Sequence, residues 1–410
     1  MFTQAFTMLD NILYILFLVV FIYCALSVAY LFFLSLAGRL FYRNKFSGNY
    51  AEPQKKIAVL VPAYKEDGII VSTAKNLMAL NYPTSLYDVY IIADSFQPST
   101  ISDLKQLPVE VFEVSFEKST KTKSLNEAFG RINKAYDVAL ILDADNLLAK
   151  DFLQKINNAF VKGARAVQGR RVAKNLNTSF AILDACSEGI NNHIFRKGTN
   201  AAGLSSAVIG SGMAFDFDLV KDILSRIDAV GGFDKPLQLD IVKKGIRIEY
   251  LDDALVFDEK VDSSQAFKQQ RKRWVSSQFI YLRKFFLPSF GQLVKGNLSY
   301  FNLAVGNNLV LPRAFLFMIL PLLAIIALIF VKAWFVASLV LWLAYLLALF
   351  IAIPQELMNR ELWQAILKLP KAIGIMLGTL LGMKESNKTF IHTVHTKTDV
   401  SNPLFNEHNQ

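Results

Sequence analysis

Three stretches of this chain are apolar almost without a break. Between the first and the other two, the pattern changes to short apolar runs separated by polar turns. Residues 13–36 are nearly free of charge and long enough to cross a bilayer as a helix. Two late runs, roughly 314–331 and 333–353, would form a helical hairpin through a tight turn around Lys332. A fourth run, 372–383, is too short to span and is expected to lie in the membrane interface. A cleaved signal peptide fits the first run poorly. No basic residue precedes it, and it is longer than the usual apolar core of such a signal.

The middle of the chain has a different rhythm. Residues 57–61 read as a strand that ends in Pro62-Ala63-Tyr64, and a helix-like stretch follows over 68–80. A second strand, 89–93, ends at Asp94-Ser95. Residues 109–116 read as a third, 121–135 as a helix, and 138–142 as the next strand, which ends at Asp143-Ala144-Asp145. Strands and helices alternating at this spacing predict an α/β domain with a mostly parallel sheet over 55–260. Tyr64 and Glu66, Asp94, and Asp143 and Asp145 all fall just past strand C-termini, the edge where open α/β sheets bind ligands. The pattern then loosens. Residues 167–171, 207–215, 246–250 and 254–257 are short strand candidates, and Gly210-Ser211-Gly212 suggests a close backbone approach. No internal repeat is visible.

Composition adds to this picture. The chain has 410 residues, 53% of them hydrophobic, with a mean hydropathy of +0.33 and a formal net charge of +10. That is apolar for a soluble enzyme. The charge is uneven. From 263 to 354 there is no Asp or Glu, while Lys268, Arg271, Lys272, Arg273, Arg283, Lys284, Lys295 and Arg313 precede the second span. Beside a membrane span, such a surface suits anionic headgroups or a pyrophosphate better than nucleic acid. Arg39, Arg43, Lys45, Lys55 and Lys56 follow the first span and Asp10 precedes it. The positive-inside rule therefore places the central domain and the C-terminus in the cytoplasm. Cys24 and Cys186 give neither a metal-ligand spacing nor a disulfide framework, as expected in a reducing compartment. The four histidines are too scattered to suggest a zinc site.

The candidate chemistry centres on Asp143-Ala144-Asp145. Two carboxylates at a strand mouth can share Mg²⁺ or Mn²⁺ with the phosphates of a nucleotide, where the ion neutralises charge on a departing diphosphate. Asp94 is either a cap or turn residue, or an acceptor for a base or ribose. Lys121 and Lys123 are either solvated helix charges or, for one of them, a cation opposing the charge that develops on the leaving group. Asp240, flanked by Leu239 and Ile241, is either a cap or ion-pair residue, or a general base for an acceptor hydroxyl. Gln270-Arg271-Lys272-Arg273-Trp274 reads as a basic amphipathic helix, or as a floor where Arg grips phosphate and Trp stacks on a sugar.

In this order, Val61-Pro62-Ala63-Tyr64-Lys65-Glu66, Asp94, Lys121 with Leu125-Asn126, Asp143-Ala144-Asp145, Gly210-Ser211-Gly212, Asp240 and Gln270…Arg273-Trp274 resemble membrane-embedded family 2 glycosyltransferases. That group includes cellulose, hyaluronan and poly-N-acetylglucosamine synthases. The resemblance covers roughly 55–285 and the layout of the flanking spans. It implies a GT-A (Rossmann-like) domain, a nucleotide-sugar donor, usually a UDP-sugar, and inversion at the anomeric carbon. By position it implies Ala63, Tyr64, Glu66 and Asp94 around the nucleoside and Lys121 near the diphosphate. It implies Asp143 and Asp145 on donor and metal, with Asp145 the closer ligand, and Asp240 as the base. Gln270, Arg273 and Trp274 would bind the acceptor end and the diphosphate. The chain departs from the family pattern in having Lys65-Glu66 for Asn-Glu, and Gln238-Leu239 for the acidic or Thr-Glu pair before the catalytic Asp. Three spans also leave little material for a polymer channel in one protomer.

The domain plan expected is a transmembrane helix over 1–40, a GT-A domain over 50–285 and an interfacial segment over 286–312. A helical hairpin over 313–354, amphipathic interfacial helices over 355–384 and a cytoplasmic tail over 385–410 complete it. The leading expectation is a metal-dependent inverting glycosyltransferase acting on a glycan acceptor at the bacterial inner membrane, in polysaccharide synthesis, with an oligomer or accessory subunits allowed for. The alternatives are transfer of one sugar to a lipid carrier, such as a polyprenyl phosphate or a glycolipid, and a catalytically inactive nucleotide-sugar or glycan sensor.

Overall fold

The computed structural model describes residues 2–48, 51–229, 231–261, 264–370, 374, 395 and 397–407. The chain opens with the long helix α1 (Phe2–Leu40) and then builds an α/β unit. Its first half runs β1 (Ile57–Tyr64), α2 (Ile70–Met78), β2 (Tyr87–Asp94), α3 (Pro98–Lys105), β3 (Glu110–Val114), α4 (Lys121–Arg131), β4 (Val138–Ile141) and β5 (Leu147–Leu148). The second half runs α5 (Phe152–Val161), β6 (Ala166–Ala173), α6 (Ser179–Asn192), a π-helix His193–Gly198, α7 (Thr199–Ala201), β7 (Met213–Asp216), α8 (Phe217–Leu224), α9 (Asp234–Lys243) and β8 (Glu249–Asp258).

The strands lie in the order β3-β2-β1-β4-β7-β6-β8-β5. β3, β2, β1 and β4 are mutually parallel. β7 is antiparallel to both neighbours, β6 and β8 are parallel, and β5 closes the far edge antiparallel. The sheet is therefore uniformly parallel only in its first half, where the repeating strand–helix rhythm is plainest, and mixed in its second. The strand expected over 207–215 is confined to Met213–Asp216, because Gly210 and Gly212 just before it take positive φ and break the extended run. The two strands expected at 246–250 and 254–257 are one, β8, whose pairing with β6 shifts register between Gly169 and Arg170.

Burial on both faces explains the unbroken apolar strands. Successive side chains point to opposite faces. Ile57, Val59 and Val61 meet α2 and α5 on one side through Ile70, Leu77, Phe152 and Ile156. Ala58 and Leu60 meet α4, α8 and α9 on the other through Leu125, Phe129, Val220 and Leu237.

Among the described residues, three helices are long and apolar enough to cross a membrane: Asp10–Leu40, Arg313–Phe330 and Lys332–Ala352. They match the three runs seen in sequence. After β8 comes α10 (Ser264–Val294), followed by α11 (Leu298–Phe301), a π-helix Asn302–Gly306 and α12 (Asn307–Leu309). Then come α13 (Arg313–Phe330), a 3₁₀ turn Lys332–Trp334, α14 (Phe335–Ala352), α15 (Arg360–Ile366) and α16 (Pro403–Glu407). α10 runs straight through residue 285, so the expected boundary between domain and interfacial segment falls inside a helix. Of the interfacial run 372–383, all but residue 374 lies outside the described residues.

α1 is fitted to the domain by close contact. A Cβ on Gly198 would lie 2.2 Å from the Leu34 carbonyl oxygen, and one on Gly38 would lie 3.0 Å from His193 Nε2. Ser35 Oγ donates to the Ala348 carbonyl at 2.7 Å, and Tyr30 bonds Asn302 and Asn307 at 2.7 Å each. Cys24 and Cys186 are free and buried in the core that joins α1, α6 and the hairpin.

Candidate active site

Asp143 and Asp145 leave the sheet just past β4, where the ladder ends and the chain bends. Ser211 fixes the bend: its Oγ accepts from Asp143 N at 2.9 Å and donates to Asn146 Oδ1. Thr73 Oγ1 donates to the Ala144 carbonyl at 2.6 Å, tying the loop to α2. The two carboxylates differ in surroundings. Asp143 is about one-third exposed and ion-paired with Lys121, whose Nζ also donates to the Gly210 carbonyl at 2.6 Å and lies 5.4 Å over the Phe233 ring. Lys123 instead turns outward to the Lys118 carbonyl. Of the two lysines, Lys121 is the one brought to the pair.

Asp145 is buried, and burial together with Asp258 and Asp143 pushes its carboxyl up, while His395 and Lys174 act the other way. Lys174 is itself buried, and its Nζ donates to the Asp145 carbonyl at 3.0 Å. Glu259 N donates to Asp145 Oδ2 at 3.3 Å. His395 Nδ1 meets Glu66 Oε1 at 2.9 Å, across 329 positions of chain. Burial would lower the His395 pKa, but Asp145, Glu66 and Glu259 outweigh it and raise the imidazole to about 10. Asp143, Asp145, Asp258, Glu259 and Glu66 thus converge on a small region held by Lys121, Lys174 and His395. Among the described residues, no group of three or more His, Cys, Asp or Glu is arranged to hold a metal ion by itself.

The residues expected around a nucleoside lie along β1 and β2. Both strands finish in a left-handed residue, Lys65 at φ 55° and Ser95 at φ 62°, a conformation uncommon outside glycine and frequent where chains turn around a ligand. Lys65 N donates to the Asp94 carbonyl at 3.1 Å, which joins the two turns. Asp94 is buried at 1% exposure; its Oδ1 accepts from Ser95 Oγ, and its Oδ2 has no partner among the described residues. An unpaired buried carboxylate oxygen is costly and suits a ligand N–H or O–H. Ala63 is buried beside it, and Tyr64 lies under the Lys65 ammonium.

The two glycines have separate reasons. Gly212 has φ +60°, and a Cβ there would meet Val256 Cγ2 at 2.4 Å, so its close approach is to the protein's own β8. Gly210 has φ +82° with open space around it, and its carbonyl faces Lys121.

Asp240 is not brought to this cluster. On α9, Leu237, Gln238, Leu239, Ile241 and Val242 are buried, and Gln238 Oε1 accepts from Val208 N at 3.1 Å. Gln238 is therefore a packing residue that satisfies a buried backbone N–H, not a substitute for an acidic one. At about 100° per residue, Asp240 lies about 240° around the helix from Asp234. It sits on the face toward Tyr300, whose phenol its charge pushes up after burial does. Asp234, the first residue of α9, is about 40° from Gln238 and so shares its face. It adjoins Phe233, the ring beneath Lys121. Sequence reasoning missed Asp234; the available cue was its place after Gly231-Gly232, where Gly232 takes φ +66° and turns the chain into the helix. His395, Asn146, Lys174, Asp258 and Glu259 were missed as well. The first is brought in only by the fold, and the others carry no spacing that marks them.

Of the residues expected at the acceptor, Gln270 lies on α10 with its Oε1 buried and unpaired among the described residues, and Trp274, four residues on, is 40% exposed. The side chain of Arg273 lies outside the described residues. Farther along α10, Phe279, Ile280, Phe286, Leu287, Phe290 and Val294 are exposed.

A profile of the family described as "Glycosyltransferase like family 2" matches residues 53–277. The beta-monoglucosyldiacylglycerol synthase of Nostoc sp. (strain PCC 7120) is 25% identical over 236 residues, 54% of this chain and 49% of that protein. The probable glycosyltransferase YdaM of Bacillus subtilis is 22% identical, over 60% of each chain. The chain thus spans about half the length of the synthase it matches. Among solved structures, a mannosyltransferase of Pyrobaculum calidifontis in complex with GDP-Man and Mn²⁺ aligns at TM-score 0.49 and 15% identity, covering 89% of this chain and 100% of that one.

Proposed function

Because the chain belongs to glycosyltransferase-like family 2, we propose that it transfers a sugar from a nucleotide-sugar, with inversion, to a hydroxyl of a membrane lipid. The observation that carries the lipid acceptor is α10. Its start holds Gln270 and Trp274, and its later turns expose Phe279, Ile280, Phe286, Leu287 and Phe290 ahead of the candidate span Arg313–Phe330. An acceptor reaching Gln270 along that helix arrives from an apolar side, which suits an acyl chain better than a free glycan. The relatives named for glucosyldiacylglycerol synthesis support the same class. In this reading the three apolar helices cross the membrane and the α/β unit faces the cytoplasm, as the positive residues after α1 imply.

The nucleoside enters between the ends of β1 and β2, where Asp94 Oδ2 accepts from it and Ala63 and Tyr64 line the pocket. The diphosphate lies toward Lys121 and Gly210. Asp145 and Asp143 would hold a divalent cation that draws its remaining ligands from the diphosphate, since Mg²⁺ is commonly held by one or two carboxylates plus substrate phosphates. Such an ion, Mg²⁺ or Mn²⁺, supplies charge neutralisation on the leaving group. The acceptor oxygen bonds to the anomeric carbon as the bond to the diphosphate oxygen breaks, and the hydroxyl proton passes to Asp234, which takes the role expected of Asp240. Lys121 opposes the charge left on the diphosphate.

The test is nucleoside diphosphate release by the detergent-solubilised chain with Mn²⁺. A panel of UDP- and GDP-sugars is offered with diacylglycerol, polyprenyl phosphate or oligosaccharide as acceptor. Diacylglycerol-dependent release is expected. Release that depends on oligosaccharide alone would replace the lipid reading with the glycan one, and binding without release under every condition would return the chain to a sensor.

A further inference from the structure

A group of buried charges that the proposed reaction does not use adjoins the acidic pair. It is formed by Arg171 on β6, Glu188 on α6, Asp258 at the end of β8 and Lys260 two residues on. The side chains of Lys260 and Glu188 are 1% and 7% exposed. Arg171 grips Glu188 through Nε and Nη2 at 3.0 Å each, a fork that fixes both partners. Its Nη1 lies 3.6 Å from Asp258 Oδ1. Lys260 Nζ donates to Glu188 Oε2 and to Asp258 Oδ2, both at 2.6 Å. Two cations thus face two carboxylates. Arg196 and Asp184, one of each sign, also bear on the group and leave that balance unchanged. Burial works against the Glu188 charge, but Arg171, Lys260 and Arg196 outweigh it and hold the carboxyl below the usual range.

The group reaches the site through Asp258 and Arg171. Asn146 Nδ2 donates to Asp258 Oδ1 at 3.2 Å, and Asn146 Oδ1 accepts from the Ser211 hydroxyl that fixes Asp143. Asp258 in turn acts on Asp145. Burial opposes the Arg171 charge while Asp258, Glu188 and Asp143 sustain it, so Arg171 already lies in the field of the pair. Glu188 is anchored from the other side. Arg313 Nη2, at the start of α13, donates to the Ser187 carbonyl at 2.8 Å, and a Cβ on Gly189 would overlap Pro354, just past α14. The two ends of the hairpin therefore pin the residues on either side of Glu188.

We propose that Glu188 is a positioning residue for the donor site: it holds Arg171 and Lys260 on Asp258, so that neither cation turns to Asp143 or Asp145 and the pair is left to a divalent ion chelated by a nucleoside diphosphate. The inference rests on the reading of Asp143 and Asp145 given above. Removing one member of a buried ion group leaves an uncompensated charge. Without the Glu188 charge, Arg171 and Lys260 share Asp258 alone. The excess positive charge then falls beside the acidic pair, where it opposes a divalent cation by like charge. Glu188 touches neither the ion nor the donor; it acts through the two cations.

The experiment measures Mn²⁺ affinity of the full chain in detergent with saturating UDP, read as the loss of the free-ion electron paramagnetic resonance signal. Four variants are compared: Glu188→Gln, Lys260→Met, the two combined, and Glu188→Asp. Glu188→Gln should weaken Mn²⁺ by about 10–100-fold, the range for changes one contact away from a metal ligand. Lys260→Met removes a cation instead and should bind Mn²⁺ at least as tightly as wild type. The combined variant restores the balance of charge and should recover most of the affinity lost in Glu188→Gln. Glu188→Asp keeps the charge and should stay near wild type. Thermal unfolding midpoints are read alongside. A purely structural Glu188 predicts that affinity follows the midpoint across the set; the charge argument predicts that it follows the net charge of the group. The proposal is overturned if Glu188→Gln binds Mn²⁺ as wild type does, or if the combined variant is as weak as Glu188→Gln. Failure of the wild type to bind Mn²⁺ with UDP is a different result: it removes the metal reading of Asp143 and Asp145, and the role of Glu188 with it.

Discussion

Replacing Asp234 and Asp240 by Asn, one at a time, sets the position of the base. Both changes keep side-chain size and remove one negative charge. Asp234 begins α9 on the face that carries Gln238, and through Gln238 that face meets Val208, two residues before the Gly210 carbonyl that holds Lys121. Asp240 lies about 240° around the same helix, toward Tyr300. General-base catalysis contributes roughly 10²–10⁴ in rate, which at about 1.36 kcal/mol per decade is about 2.7–5.4 kcal/mol of activation free energy. Asp234→Asn should therefore lower kcat by that factor and leave the donor KM within about threefold, because the proton leaves only in the transition state. Asp240→Asn changes only a charge directed away from the pocket, where screening over about 10 Å leaves little. Its kcat should stay within about twofold of wild type. The assay is initial-rate release of nucleoside diphosphate over a range of donor concentrations, with acceptor saturating. A loss of a hundredfold or more in Asp240→Asn, with Asp234→Asn near wild type, would refute the assignment and the helical-face argument together.

Two further outcomes follow from the same geometry. Lys121→Met removes the cation shared by Asp143 and the Gly210 carbonyl; kcat should fall about 10²–10³-fold, as on loss of a transition-state charge partner, with thermal stability nearly unchanged, and an unaltered kcat would remove Lys121 from the diphosphate. Burial lowers the His193 pKa below its usual 6.5, with the Ser35 carbonyl contact opposing; the unfolded chain then binds the proton more readily, so stability is full above about 6.5 and declines as pH falls below it, and the unfolding midpoint should drop less between pH 7 and 5 in His193→Gln than in wild type, equal slopes arguing against it.

The legible parts of the sequence were those set by local pattern. β1, β2 and β4 are buried on both faces, so their apolar runs and the polar residues just past them could be read directly. Asp94, Asp143, Asp145, Glu66 and Lys121 all stand at or beside the edge that this reading marked. The three apolar helices were equally plain, since length and composition define them. What escaped depended on contacts between distant residues. The antiparallel β7 and β5 are short strands whose pairing partners lie far along the chain. Gln238 looked like a departure from an acidic motif because its partner, Val208 N, is invisible in sequence. Pattern alone therefore favours Asp240 over Asp234, which differs in the face of α9 it occupies. His395 carries no local mark, and meets Glu66 across 329 positions of chain.

The contacts between α1 and the domain bear on how the molecule can be handled. Gly38 and Gly198 leave no room for a side chain between the helix and the π-helix His193–Gly198, while Ser35 and Tyr30 bond it to α14 and to the π-helix Asn302–Gly306. Tilting this first helix would carry the π-helix His193–Gly198 with it. In the membrane-spanning reading proposed above, bilayer thickness, one of the inputs to helix tilt, becomes a mechanical input to the α/β unit. Replacing α1 by an unrelated hydrophobic segment would keep the tether and lose the lever.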